Sequence, residues 1–272
     1  VSTPFLSQDF YRFIWDGHML ISGINPYNFT PTEVLNQNIF TFPNRQLLYD
    51  GMGGLSASHF TNYPPFNQLF FALASAIGGK SVLLSIVVLR LTILAAEIGV
   101  IWIGLKLLKH LKLNSKNILL YALNPLVVIE LSGNLHFEGV MLFLILCCVY
   151  CIARYKTVLG ASFLALAVMT KLIPLLLVPC FYHLLKWKKW VLFSFTLGVI
   201  CCLFVLPFID SVMVNNFVST TGLWFNKFEF NASFYYLFRQ IGFWFTGYNQ
   251  IAVIGKVLMV LIIANTVFMG FL

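Results

Sequence analysis

Nine acidic side chains are spread over 272 residues, and two of them, Asp9 and Asp16, bracket Arg12 in the stretch DFYRFIWDGHMLISGI. A seven-residue step nearly completes two helical turns, so on a helix the two carboxylates share a face about 10 Å apart. A carboxylate so placed can take a proton from a reacting hydroxyl. Asp16 could also orient a substrate, bind a metal, or pair with Arg12 at i,i+4. Arg12 could pair with Asp9 at i,i+3, or clamp a phosphate. His136 and Glu138 stand together in a short polar turn, GNLHFEG, between two apolar runs. The bland alternative is a solvated turn with a helix-starting Glu. Lys171 is the charge at which the apolar runs 157–170 and 172–186 meet. Each run is about 14 residues, short of an ordinary span, and a charge placed within a membrane segment is a functional candidate, here for a phosphate, against the alternative of a lysine snorkelling to a lipid headgroup. Arg239 follows the aromatics Phe234, Tyr235, Tyr236 and Phe238, and could touch phosphate or acceptor, or anchor its loop in the interface.

The elements that must position these groups follow from composition. The chain is 60% hydrophobic and 10% charged, against roughly a quarter charged in soluble domains. A soluble fold could not cover so much apolar surface, so the chain reads as an all-α, polytopic membrane protein. Apolar runs at 81–105, 118–133, 138–153, 157–170, 172–186, 190–209 and 251–272 give about seven membrane segments, the second broken near Asn124-Pro125. Lys and Arg cluster at 106–116, 154–156 and 186–189 with no acid among them, which places those turns in the cytoplasm. The complementary segments 1–66, 134–137 and 210–250, which hold Asp9, Asp16, Glu33, Asp50, Asp210 and Glu229 with Glu130 and Glu138 at the adjoining helix ends, and the Lys171 turn, then face outward. The +8 net charge therefore reads as topology and not as a nucleic-acid surface.

Two regions result. Residues 1–80 form an outer loop, far too long for a connector, with an amphipathic helix over 9–24 lying in the membrane interface. Phe10, Phe13, Ile14, Met19 and Leu20 supply its apolar side; Gly17 should loosen it and Asn25-Pro26-Tyr27 should stop it. A short apolar helix over 66–78 follows Asn62-Tyr63-Pro64-Pro65. Residues 81–272 form the membrane region, with a second outer loop at 210–250. The chain opens at Val1 without an initiator Met and closes in an apolar stretch, so it reads as an internal piece lacking helices at both ends. The six cysteines all fall in apolar runs and read as buried thiols, not as a zinc site. Arg90 and Glu97, seven apart in one span, read as structural charges paired between helices.

The motif SxDxYRxxWDG at Ser7–Gly17, GINPY at Gly23–Tyr27 and YPP at Tyr63–Pro65 together resemble the first outer loop of GT-C glycosyltransferases, in particular the bacterial polyprenyl-phosphate-mannose-dependent mannosyltransferases. GNLHFEG at Gly133–Gly139, the Lys171–Pro174 turn and FEFNASFYYLFR at Phe228–Arg239 extend the resemblance over most of the chain. It implies a multi-helix fold whose first loop carries the catalytic acid, a sugar donor on a polyprenyl phosphate, and inversion at the anomeric carbon. An inverting transfer needs one base and no covalent intermediate, by analogy with inverting hydrolases. On this reading Asp9 is the base with Asp16 beside it. Arg12, Lys171 and Arg239 hold the donor phosphate, and Tyr11, Trp15, Asn25, Tyr27, Tyr63, His136 and Glu138 contact sugar or acceptor. The acceptor is a glycan or glycolipid, and the site faces outward from the inner (plasma) membrane. A divalent ion, Mg or Mn, shared by Asp9, Asp16 and Glu138 is an open possibility. No Walker-type phosphate loop is present, so ATP-driven chemistry has no support. A lipid-linked-sugar flippase would explain the spans and Lys171 but not so long an ordered loop with clustered acids. A membrane scaffold using the aromatic loop for docking is a third reading. Sugar transfer, lipid translocation without transfer, or neither separates the three.

Overall fold

The structure, a computed structural model, describes residues 3–4, 6–227 and 233–271. Among the described residues it is all α-helical, with no strand. The N-terminal region is built from α1 (Asp9–Ile21), α2 (Pro31–Asn36), α3 (Arg45–Ala57) and α4 (Pro65–Gly78). The long α5 (Val82–His110) follows, then a broken stretch containing α6 (Leu119–Ala122), α7 (Pro125–Val127) and a π-helical turn at Val128–Gly133. The bundle continues with α8 (Glu138–Ala153), α9 (Thr157–Thr170) and α10 (Tyr182–Val205). Last come α11 (Ser211–Lys227), α12 (Ser233–Thr246) and α13 (Ile251–Phe271).

Helix α1 departs from the expected interfacial helix. Phe10 and every residue from Arg12 to Met19 are buried. The amphipathic reading assumed one covered face. Helices α3 and α4 cover α1 from two sides, so aromatics pointing in opposite directions all find partners. Phe13 stacks on Phe71 with centroids 4.4 Å apart, and Trp15 meets Phe42 edge-on at 4.9 Å. Gly17 does not loosen the helix. A Cβ there would sit 2.1 Å from the Phe71 carbonyl oxygen, so glycine lets α4 approach the α1 backbone, where Ser75 Oγ donates to the Ile14 carbonyl at 2.9 Å. The helix stops before Asn25-Pro26. Gly23 takes φ 75° and Ile24 N donates to the Met19 carbonyl, a glycine C-terminal closure.

One core runs from α1 and α4 into the bundle, joining Phe13 and Phe71 to Ile86, Leu89 and Ile93 of α5, Leu135 and Phe137 in the turn before α8, and Ala167 of α9. A second cluster, including Cys148, Leu164, Phe181 and Phe193, ties α8 and α9 to α10. Among the described residues three helical stretches are long and apolar enough to cross a membrane: Val82–His110, Ile173–Phe208 and Ile251–Gly270. Pro125–Gly133 and Glu138–Ala153, bent by 113°, make a fourth if counted as one broken span. The sequence reading of about seven segments counted the pieces of interrupted runs separately. Lys186, at φ 58° and ψ 164°, kinks α10 without ending it, so 172–186 and 190–209 belong to one stretch. Helix α9, at 14 residues, stays below the length of an ordinary span. The chain is a multi-pass membrane protein, and α13 has no buried residue in its apolar window. Cys180 and Cys202 are exposed, contrary to the expectation of buried thiols; they lie on outer helix faces that apolar surroundings would cover in a bilayer.

Candidate active site

Asp9 opens α1, and its backbone N–H donates to Ser7 Oγ at 3.3 Å, which orders the turn into the helix. The side chain is partly buried and lines a cavity of about 490 Å³ together with Pro4, Ser7, Gln8, Tyr11 and Gly51. Gly51 is a lining residue that the sequence reading missed. A Cβ there would stand 2.7 Å from the Tyr11 ring, so its absence lets that ring lie against α3.

Burial raises the Asp9 carboxyl above the usual 3.8, while the charges of His136 and Lys171 pull it down and that of Glu138 pushes it up. These groups act on Asp9 because the turn into α8 and the end of α9 bring them towards the start of α1. Lys171 follows α9 in extended conformation (φ −153°, ψ 139°), and its Nζ donates to Glu138 Oε1 at the start of α8. His136 sits in the turn before α8, with Nδ1 3.4 Å from Glu130 Oε2. Glu130 also accepts from Asn134 Nδ2 at 3.3 Å. Neither the π-helical turn that aims Glu130 nor the left-handed Leu135 (φ 62°) before His136 has a local sequence signature. Arg90 buttresses this turn by donating from Nε to the Ser132 carbonyl at 3.1 Å and from Nη2 to the Gly133 carbonyl at 3.3 Å. The charges of Arg90 and Glu97 therefore serve different partners. Glu97 accepts from the Tyr121 hydroxyl at 2.9 Å and lies against Gly139. Tyr63 completes the group. Burial, then the charges of Asp9 and Glu138, hold its phenol well above the usual range, so it stays a hydrogen-bond donor.

Other residues proposed for the site are engaged elsewhere. Asp16 is fully buried and accepts from Arg12 Nε at 2.7 Å and Gln68 Nε2 at 3.2 Å. Arg12 also donates through Nη1 to the Ser56 and His59 carbonyls, at 2.7 and 2.9 Å, clamping the end of α3. The pairing alternative therefore describes Arg12 and Asp16, and their polar atoms hold α1, α3 and α4 together. Trp15 is fully buried. Asn25 donates to the Phe208 carbonyl at 2.9 Å, and the buried Tyr27 donates to the Tyr63 carbonyl at 2.7 Å. With Asn28 on Asp210 (2.7 Å) and Asn216 on the Tyr27 carbonyl (3.0 Å), the GINPY segment clasps α11 to the first loop. Arg239 stands on α12 over the Tyr236 ring at 4.7 Å, and α12 packs on α13. Residues 228–232 of the FEFNASFYYLFR motif lie outside the described residues. Among the described residues no three His, Cys, Asp or Glu side chains group to hold a metal.

The matched stretch is residues 1–186, against the family described as alpha-(1->6)-mannopyranosyltransferase, N-terminal domain. The chain belongs to this family. Every motif behind the GT-C resemblance except the 228–239 segment lies inside that stretch. Among curated proteins, the chain is 26% identical over 172 residues to alpha-(1->6)-mannopyranosyltransferase A of Mycobacterium tuberculosis (strain ATCC 25618 / H37Rv). That alignment covers 63% of this chain and 31% of the relative, so the chain spans about a third of the length of the protein it matches. No solved structure matches it. Family and fold agree on a GT-C mannosyltransferase-like membrane protein.

Proposed function

We propose that this chain carries the catalytic loop of an inverting glycosyltransferase that moves a hexose, mannose by its family, from a polyprenyl-phosphate donor to a glycan or glycolipid acceptor. The observation that supports the reading is a partly buried Asp9 that lines a cavity and feels the charges of His136, Glu138 and Lys171. Asp9 takes the acceptor hydroxyl's proton as the new glycosidic bond forms and the bond to the donor phosphate breaks. Partial burial strengthens it as a base, and the nearby cation of Lys171 keeps it ionised. Lys171 is also the cation nearest to hand for the leaving phosphate, with Glu138 holding its ammonium in place. The Tyr63 phenol and the His136 imidazole are the hydrogen-bonding groups for sugar hydroxyls. The basic turns at the far end of the bundle favour a site facing outward from the plasma membrane.

The test uses liposomes containing the protein and a polyprenyl-phosphate-mannose donor. Transfer of mannose to added acceptor supports the reading. Movement of donor across the bilayer without transfer replaces it with a flippase.

A further inference from the structure

A second cavity, of about 320 Å³, lies between the far ends of α5, α8 and α9. Helix α8 runs from Glu138 at the candidate site to Ala153 beside this cavity, and its sixteen residues put Glu138 roughly 24 Å from the cavity's basic end. The lining carries three cations, Lys106, Arg154 and Lys156, and no acid. The rest of it is apolar or aromatic, with Trp102, Phe143 and Phe163 prominent. Lys106 Nζ stands 3.5 Å over the Trp102 ring, which fixes the ammonium at the cavity edge. Trp102 is itself 57% exposed on the outer face of the apolar α5, where an indole marks the headgroup level.

We propose that this cavity binds an anionic phospholipid, its headgroup phosphate on Lys106, Arg154 and Lys156 and the start of an acyl chain against Phe143 and Phe163. Three unopposed cations select for negative charge, and the apolar floor selects a lipid over a free anion. The opening lies on a bundle surface already rich in exposed apolar side chains, so a bilayer lipid reaches it without leaving the membrane. The inference stands apart from the glycosyltransferase reading, because no residue is shared with the site around Asp9.

The experiment is native mass spectrometry of the protein released from micelles holding equal phosphatidylglycerol and phosphatidylcholine of the same chain length. Preferential retention of phosphatidylglycerol is expected. The triple variant Lys106→Gln, Arg154→Gln, Lys156→Gln should lower that preference about tenfold, and the control triple Lys109→Gln, Lys116→Gln, Lys188→Gln, on the same basic end but outside the cavity, should leave it within about twofold. If the cavity triple does not fold, Lys106→Gln alone, at the cavity edge, should lower the preference about threefold. No preference in the parent protein, equal loss in both triples, an unchanged preference in Lys106→Gln, or displacement of the lipid by equimolar inorganic phosphate would each overturn the proposal.

Discussion

At the residue scale, the two aspartates of the first motif have separate fates, and each yields a test. Asp9 is raised by burial, so the folded chain holds its proton more tightly than the unfolded chain does. Its contribution to stability therefore falls as pH rises from about 3.8 through its raised value, and its ionised form becomes the active one over the same window. If Asp9 is the base, the acid limb of the transfer rate lies above pH 3.8. Lys171→Met, which removes an attractive cation, should move that limb up, and Glu138→Gln, which removes a repelling carboxylate, should move it down. Shifts in the same direction, read from pH–rate profiles, would detach Asp9 from this cluster. Asp16 is a structural residue by its contacts. Asp16→Ala leaves Arg12 buried without its carboxylate and should cost about 3–5 kcal/mol in denaturant unfolding. Asp9→Ala should cost far less, since its carboxyl is only partly buried. The sequence named both carboxylates but could not rank them. The spacing of Asp9, Arg12 and Asp16 permits either pairing, and the choice was made by the Ser56 and His59 carbonyls and Gln68, which arrive from α3 and α4.

At the element scale, the legible parts were those with their own punctuation. Helix α4 begins at Pro65 as the Tyr63-Pro64-Pro65 turn indicated, and α8 and α9 fall on the residues expected of them. Helix α3 was missed because three glycines and little apolar periodicity hide it; Gly53 (φ 75°, ψ 159°) breaks it within its own span. Without α3 in view, the burial of Trp15 and the whole environment of α1 could not be foreseen. Close packing of α1 on α4 makes a sharp prediction. Gly17→Ala forces a Cβ into the Phe71 carbonyl, and should cost about 1–3 kcal/mol in thermal unfolding with the helices pushed apart. An unchanged melting temperature would mean that α1 and α4 are not in contact at this point. The turn carrying His136 depends likewise on a partner remote in sequence, Arg90, whose role at the Ser132 and Gly133 carbonyls replaces the expected pairing with Glu97.

At the scale of the whole molecule, composition and charge alternation were enough for an all-α membrane bundle, because hydropathy and the basic turns depend on no tertiary detail. The convergence of Asp9, His136, Glu138 and Lys171 needed the fold, since they lie on three elements separated by long stretches of chain. The same arrangement puts the Asp9 cluster at one end of α8 and the basic cavity at the other, and this predicts topology. A single cysteine at Gln37, exposed after α2, should react with a membrane-impermeant maleimide from outside intact cells, and one at the exposed Lys116 only after permeabilisation. The reverse pattern would put the candidate site in the cytoplasm. The central claim is that Asp9 is the base, and the most direct measurement is single-turnover transfer of mannose from a polyprenyl-phosphate donor by the Asp9→Asn protein in liposomes. A rate lower by about 10²–10⁴-fold with the donor still bound is expected. A rate within about twofold of the parent protein would contradict the claim.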